Sequence, residues 1–158
     1  MTRQASPTIP EWSTSRELER APVLVYESSA NASTAIAGEI AELIRSKTAA
    51  GETTVLGLAT GSTPQAVYDE LVRLHREEGL SFARVVSFNL DEYWPREPGD
   101  LQSYRRFMDE HLFDLVDIDR ANTHVPDGTI PLGRVDEYCA EYEQRIREAG
   151  GLDLQLLG

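Results

Sequence analysis

The stretch TTVLGLATGSTP at residues 53–64 places a predicted strand, a small-residue loop and a helix start in direct succession. The apolar run at 53–58 is typical of a buried strand. Gly61 lets the backbone turn tightly, Thr63 is a candidate N-cap, and Pro64 suits the first helical position. This stretch therefore predicts one strand–loop–helix unit of an α/β fold.

The same alternation extends along the rest of the chain. Apolar runs predict further strands at 23–26, 84–90, 122–125 and 152–157, and apolar residues at helical spacing predict helices at 29–47, 64–78, 103–113 and 134–149. Strands separated by helices imply crossover connections, and hence a parallel sheet covered by helices on both faces. Such sheets bind ligands beyond the carboxyl ends of their strands.

Composition limits the classes of partner. The 158 residues carry a net charge of −12, which argues against nucleic acid and anionic membranes, because both reward clustered Lys and Arg. The 41% of hydrophobic residues suffices for a core, and no apolar run approaches the length of a membrane span. The start lacks the apolar segment of a secretory signal. We expect a cytoplasmic protein with a flexible leader at 1–20 and one domain at 21–158.

The loop Thr60–Thr63 is a candidate phosphate site. A helix N-terminus offers free N–H groups and a partial positive charge, and the Ser62 and Thr63 hydroxyls could add donors. The loop is neither a Walker A loop, since it has no Lys, nor a GxGxxG motif. An ordinary strand–helix turn capped by Thr63 is the alternative explanation.

FNLDEY, at residues 88–93, follows the predicted strand at 84–90. Side chains alternate along an extended segment, so at most one of Asp91 and Glu92 is expected to face a ligand. A carboxylate at this edge could act as a general base. The alternative is a turn or capping Asp beside a solvated Glu.

The remaining reactive side chains give weaker signals. His75, His111 and His124 are too far apart in sequence for a paired metal motif, and only His124 is placed where it could approach the site. Cys139 falls on the apolar stripe of the helix at 134–149, which predicts a core thiol. A lone cysteine also rules out a disulfide within the chain.

Several motifs in a fixed order connect these loops to one family. They are LGLATGSTP at 56–64, LSF at 80–82, FNLDEY at 88–93, SYRRFMDEHLF at 103–113, VDI at 116–118 and YEQRI at 142–146. In this order and spacing, the chain resembles the glucosamine-6-phosphate deaminases, also called isomerases, from residue 22 to its end. The resemblance implies a doubly wound, Rossmann-like α/β domain with a mostly parallel sheet and helices on both faces.

The resemblance also implies a reaction and a site. The family converts glucosamine 6-phosphate and water into fructose 6-phosphate and ammonia, with no cofactor and no metal. Its motifs assign Asp91 as the base that moves a proton between C2 and C1, and Thr60–Thr63 as the loop that holds the phosphate. Glu92 and Tyr93 become neighbours in the substrate site. Family members are often oligomeric, so a homo-oligomer is an open alternative.

The end of the chain predicts a truncated domain. The family follows its LQLLG strand with a segment like GxGxDGHIAFNEP, whose Asp, His and Glu open the sugar ring, whereas this chain ends at Gly158. We therefore expect an N-terminal fragment with little or no activity on its own. A 6-phosphogluconolactonase-like hydrolase and a non-catalytic sugar-phosphate sensor of the same fold remain the alternatives.

Overall fold

A computed structural model describes residues 23–158, which contain a four-stranded sheet in the order β3-β2-β1-β4. The strands are β1 (Thr54–Leu58), β2 (Val85–Asn89), β3 (Thr123–His124) and β4 (Leu154–Gln155), and the helices are α1 (Ser29–Ala49), α2 (Ser62–Glu78), α3 (Tyr104–Met108) and α4 (Val135–Glu148). A π-helical turn continues α3 over Asp109–Phe113, and 3₁₀ turns lie at Arg120–Asn122 and Leu132–Arg134.

All strand pairs in the sheet are parallel. The central pair, β1 and β2, stays in register from Thr54 opposite Val85 to Leu58 opposite Asn89. The short strands β4 and β3 pair with β1 and β2 on the outer sides. The carboxyl ends of β1 and β2 therefore lie next to each other, and the prediction of a parallel α/β sheet is confirmed.

The main core lies on the face of the sheet covered by α1, α2 and the π-helical turn. Its largest fully buried side chains are Tyr68, Phe82, Phe113, Ile40, Ile44, Leu56, Leu58, Leu71, Leu80, Met108, Leu112 and Val85. The stripe of α2 points inward through Val67, Leu71 and Leu74, as its helical spacing predicts. Burial of these side chains anchors α2, whose first residues border the candidate phosphate loop.

Helix α4 contacts the opposite face through aromatic residues. Phe88 alternates with the core-facing residues of β2, and the Tyr142 ring meets it edge-on with centroids 5.7 Å apart. Tyr138 and Tyr142 are only half-buried, and no residue of α4 is fully buried. The predicted core position of Cys139 is wrong: the thiol is exposed on a helix of which no residue is fully buried, because α4 meets Phe88 of the sheet through Tyr142 and not through Cys139.

Two local predictions are also wrong. The segment 23–26 forms no strand within the described residues, and Val23 is 64% exposed, because an apolar run becomes a strand only beside a partner strand and under a cover. Helix α2 begins at Ser62 with Gly61 as its N-cap, so Thr63 is not the cap. The predicted leader at 1–20 lies outside the described residues.

Candidate functional site

The candidate site is built where β1 and β2 end side by side. Leu58 and Asn89 are register partners, and the Leu90 amide donates a hydrogen bond of 3.2 Å to the Leu58 carbonyl. Adjacent strands lie roughly 4.8 Å apart. The loops that follow them, with Thr60 on one side and Asp91 on the other, therefore start as neighbours.

The loop after β1 leaves the N-terminus of α2 open. Gly61 has φ 116° and ψ 179°, a conformation essentially restricted to glycine. No side chain of the described residues caps α2, and both Ser62 and Thr63 are exposed. The first amides of the helix can therefore donate to an anion, as the sequence predicts for a phosphate.

A buried tyrosine anchors this loop from within. The Tyr68 hydroxyl donates a hydrogen bond to the Ala59 carbonyl, and Tyr68 is fully buried. Since Tyr68 lies on α2, the helix holds the residue that immediately precedes Thr60. Packing of α2 therefore also sets the position of the phosphate loop.

Asp91 is exposed at the start of the loop after β2. Partial desolvation and, secondarily, the charge of Glu92 raise the pKa of its carboxyl above the ordinary value. A carboxylate with a raised pKa and access to solvent is a better proton acceptor near neutral pH than an ordinary Asp. Its chemistry suits the general base that the sequence predicts.

Glu92 points away from solvent toward α3. Its carboxylate accepts hydrogen bonds from the amides of Tyr93, Tyr104 and Arg105 and from the Ser103 hydroxyl. The alternation argument is therefore consistent with the structure, since Asp91 and Glu92 occupy different environments. In this structure Glu92 joins the loop to a helix N-terminus.

Tyr104 links the two sides of the candidate site. Its ring lies 4.7 Å from that of Tyr93, measured between centroids. Contact with Tyr93, desolvation and the Asp91 charge raise the pKa of the Tyr104 phenol, and contact with Thr60 opposes this rise. Tyr104 therefore lies near both the phosphate loop and the candidate base. Tyr104 is a residue that sequence reasoning missed; the signal for its position is that it follows Ser103, which caps α3.

Asn89 is a second residue that sequence reasoning missed. Its side chain is 2% exposed, and its amide donates a hydrogen bond of 3.3 Å to the Leu58 carbonyl. From the opposite face, the Tyr142 hydroxyl lies 2.9 Å from the Asn89 carbonyl and 3.0 Å from the His124 carbonyl. These contacts join the ends of β1, β2 and β3.

The histidines do not form a reactive cluster. His124 stacks on Phe88, and burial, followed by the charges of Arg145 and Arg105, lowers its pKa, so it is neutral near pH 7. Nδ1 of His75 lies 2.6 Å from the Leu80 carbonyl. Within residues 23–158, no group of three or more His, Cys, Asp or Glu residues could hold a metal ion.

Residues 27–158 match the family described as glucosamine-6-phosphate isomerases/6-phosphogluconolactonase. The chain belongs to this family. Membership agrees with the parallel sheet and with the two loops at the carboxyl ends of its central strands.

Relatives of this isomerase family are about half identical to the chain. A putative glucosamine-6-phosphate deaminase-like protein of Bacteroides thetaiotaomicron is 48% identical over 141 residues, which are 89% of this chain and 21% of that protein. Glucosamine-6-phosphate deaminase 2 of Giardia intestinalis is 48% identical over 85% of this chain and 49% of its own length. The chain spans half or less of these relatives.

Solved structures of the same family share the fold. One, of a monomeric glucosamine-6-phosphate deaminase, has a TM-score of 0.78 and 34% identity, over 84% of this chain and 53% of that one. A 6-phosphogluconolactonase from Thermotoga maritima has a TM-score of 0.57 and 28% identity, over 75% and 53%. Both the similarity and the identity are greater for the deaminase.

Among the described residues, none of the helices combines the length and the apolar character needed to cross a membrane.

Proposed function

We propose that the protein containing this chain converts glucosamine 6-phosphate and water into fructose 6-phosphate and ammonia. The observation that carries the proposal is the adjacency of the two loops, which leave β1 and β2 at register partners Leu58 and Asn89 and are joined by the hydrogen bond from the Leu90 amide to the Leu58 carbonyl. The names of the relatives, which are about 50% identical, support the deaminase over other activities of the family.

In the proposed reaction, the substrate phosphate binds at Thr60–Thr63. The open amides of α2 supply donors there, and the Gly61 turn allows the ligand to approach the backbone closely. These donors bind the phosphate at short range. Short-range binding matters because the chain carries a net charge of −12 and would repel an anion elsewhere.

Asp91 is proposed to move a proton from C2 to C1 of the opened sugar. Its carboxylate removes the C2 proton and returns it to C1, while the C1 carbonyl oxygen gains a proton and the C2 amino group loses one. The aldehyde and the amine thus become a primary alcohol and an imine with no net consumption of protons. The resulting imine at C2 takes up water and releases ammonia, leaving the ketone of fructose 6-phosphate. The raised pKa of Asp91 supports this role, because the same group must both accept and donate the proton. We assign no residue of this chain to ring opening.

The test is ammonia release from glucosamine 6-phosphate by the full-length protein and two variants. Asp91→Asn keeps the shape of the side chain but removes the base, so kcat should fall by about 100-fold or more, while binding of the sugar phosphate persists. Asp69→Asn removes the same charge from the exposed surface of α2 and should leave kcat unchanged. Equal turnover of the Asp91 variant and the wild type would contradict the assignment.

Two further measurements test the alternative functions, a lactonase and a sugar-phosphate sensor. Hydrolysis of 6-phosphogluconolactone without ammonia release would favour the lactonase, which the structural similarity to the Thermotoga maritima enzyme keeps as second candidate. Tight binding of glucosamine 6-phosphate without turnover of either substrate would favour a sensor.

The isolated 158-residue chain is proposed to have little or no deaminase activity, because it spans about half of the Giardia intestinalis deaminase. Robust ammonia release by this purified chain would contradict that expectation.

A further inference from the structure

The Glu92 carboxylate has a saturated set of hydrogen bonds. One oxygen accepts from the Tyr93 amide at 2.9 Å and from the Tyr104 amide at 2.9 Å. The other accepts from the Ser103 hydroxyl at 2.8 Å and from the Arg105 amide at 3.0 Å. Three of these donors belong to the start of α3, 11 to 13 residues along the chain from Glu92.

These bonds hold one end of the short segment 90–93, and the other end of this segment is also held. The Leu90 amide is bonded to the Leu58 carbonyl of β1, and the Tyr93 amide is bonded to Glu92. Asp91 lies between these two attachments, and its own exposed side chain makes no hydrogen bond among the described residues. The position of the Asp91 carboxylate therefore depends on its neighbours.

Only a carboxylate group on a side chain of this length offers two acceptor oxygens to the four donors. A glutamine has the same length, but its NH₂ group cannot accept, so two of the donors would lose their partner. An aspartate keeps the charge but is one methylene shorter, so it cannot reach α3 from the same backbone position. Substitutions of Glu92 by glutamine and by aspartate therefore test the charge and the length of its side chain separately.

We infer that Glu92 is a positioning residue, which holds Asp91 against the reacting sugar carbons by tying the loop after β2 to the start of α3. The inference rests on the proposed function, since it takes Asp91 as the base. It differs from the sequence-based expectation that Glu92 is a neighbour of the substrate, because the carboxylate is fully engaged with the protein. A shift of about 1 Å in a catalytic group can lower a rate roughly 100-fold, so loss of this attachment should impair the chemical step.

The kinetic test compares Glu92→Gln, Glu92→Asp and the control Glu42→Gln in the full-length protein. Glu42 is exposed on α1, so its substitution removes the same charge away from the site. Both Glu92 variants should lower kcat roughly 10- to 100-fold, with KM changing far less, because the phosphate loop is untouched. Unchanged kcat in Glu92→Gln would overturn the inference, even if the protein melts at lower temperature. Full rescue by Glu92→Asp would also overturn it, since charge alone would then suffice.

A second measurement is independent of activity, so that failure of the proposed function can be distinguished from failure of the inference. Backbone ¹⁵N relaxation should show an ordered Asp91 amide in the wild type and in Glu42→Gln, with an order parameter near 0.85, and a clearly lower value in Glu92→Gln. The amides of Leu58 and Asn89 should stay ordered in every variant. If Glu92→Gln loosens only α3 and leaves the Asp91 amide ordered, then Glu92 is merely a helix cap and the inference is wrong.

Discussion

Gly61 holds the phosphate loop in a conformation that other residues avoid. With φ at 116° and open space around the position of a Cβ atom, a substitution there would meet backbone strain but no steric clash. We expect Gly61→Ala to lower the free energy of unfolding by about 1–3 kcal/mol and to weaken sugar-phosphate binding. Denaturant unfolding and calorimetric titration measure the two effects.

The control is Gly38→Ala, which lies within α1 and also has open space around it. A helical alanine is favoured over glycine by about 0.5–1 kcal/mol, so this variant should be stabilised. Stabilisation of both variants would contradict the claim that the Gly61 conformation is special.

The raised pKa of Asp91 predicts a pH dependence. The base works when it is deprotonated, so kcat/KM should fall as the pH decreases through a value above the ordinary Asp pKa of about 3.9. Glu92→Gln removes a neighbouring negative charge and should move this acid limb to lower pH. Rate profiles of both proteins, with folding checked by fluorescence at each pH, test the prediction. An acid limb at or below the ordinary value would contradict it.

The two loops of the candidate site could be located from the sequence, but the contacts that hold them in place could not. Asp91 and Thr60–Thr63 could be proposed from motif and strand position alone. The contacts of Glu92 with α3, and of Tyr104 with Tyr93, depend on how the chain returns after residue 103, which no local pattern encodes.

Helix α2 connects the core to the phosphate loop through Tyr68. Its hydroxyl bonds the Ala59 carbonyl in a fully buried setting, so Tyr68→Phe would leave that carbonyl without its partner. We expect the free energy of unfolding to fall by about 1–3 kcal/mol, with weaker sugar-phosphate binding. Chemical denaturation and calorimetric titration test both effects.

Tyr138→Phe is the matched control, because it removes a hydroxyl that accepts from the Asp127 amide in a half-buried position. Its cost should be smaller, and sugar-phosphate binding should not change. An equal or smaller loss in Tyr68→Phe would argue that the buried bond does not anchor the loop.

The elements themselves were largely predictable from apolar spacing. The predicted helix at 29–47 and the strands at 53–58 and 84–90 appear as α1, β1 and β2 with ends within two residues. The segment 23–26 has the same composition as a strand but remains exposed, because strand formation needs a partner that local sequence cannot supply. The prediction for Cys139 was wrong because helical spacing shows which residues share one face of a helix but not whether that face is covered.

Across the whole described domain, an ion pair connects α1 to Asp153, the residue just before β4. The Lys47 ammonium lies 2.6 and 2.7 Å from the two Asp153 carboxylate oxygens, and the Val55 amide also donates to Asp153. Burial tends to raise the pKa of Asp153, but Lys47 and the Val55 amide outweigh it and lower the pKa below the ordinary value. The ionised form is thus favoured by folding.

We expect Asp153→Asn to lower the free energy of unfolding by about 1 kcal/mol at pH 7, since charged hydrogen bonds are lost at a partly exposed site. A lowered pKa contributes stability above the ordinary value of about 3.9, and that contribution is lost as the pH falls through the folded-state value. The difference from wild type should therefore vanish in strong acid. Urea unfolding across pH tests this, with Asp69→Asn as control. A difference that persists unchanged at acid pH would contradict it.

The overall fold was accessible from sequence because strand–helix alternation leaves few topologies other than a parallel sheet. The strand order β3-β2-β1-β4 could not be predicted from the sequence, because it depends on which side of β1 the last strand adds to. The family of the chain follows from the match over residues 27–158, while the chain spans half or less of its curated relatives.

The proposed function requires a single sugar phosphate to occupy both loops at once. The most direct measurement is a crystal structure of the full-length Asp91→Asn variant with glucosamine 6-phosphate bound. We predict that the phosphate contacts the amides at Ser62 and Thr63, with C2 of the sugar facing residue 91 at about hydrogen-bond reach. A phosphate bound elsewhere, or a sugar whose C1 and C2 face away from residue 91, would contradict the central claim.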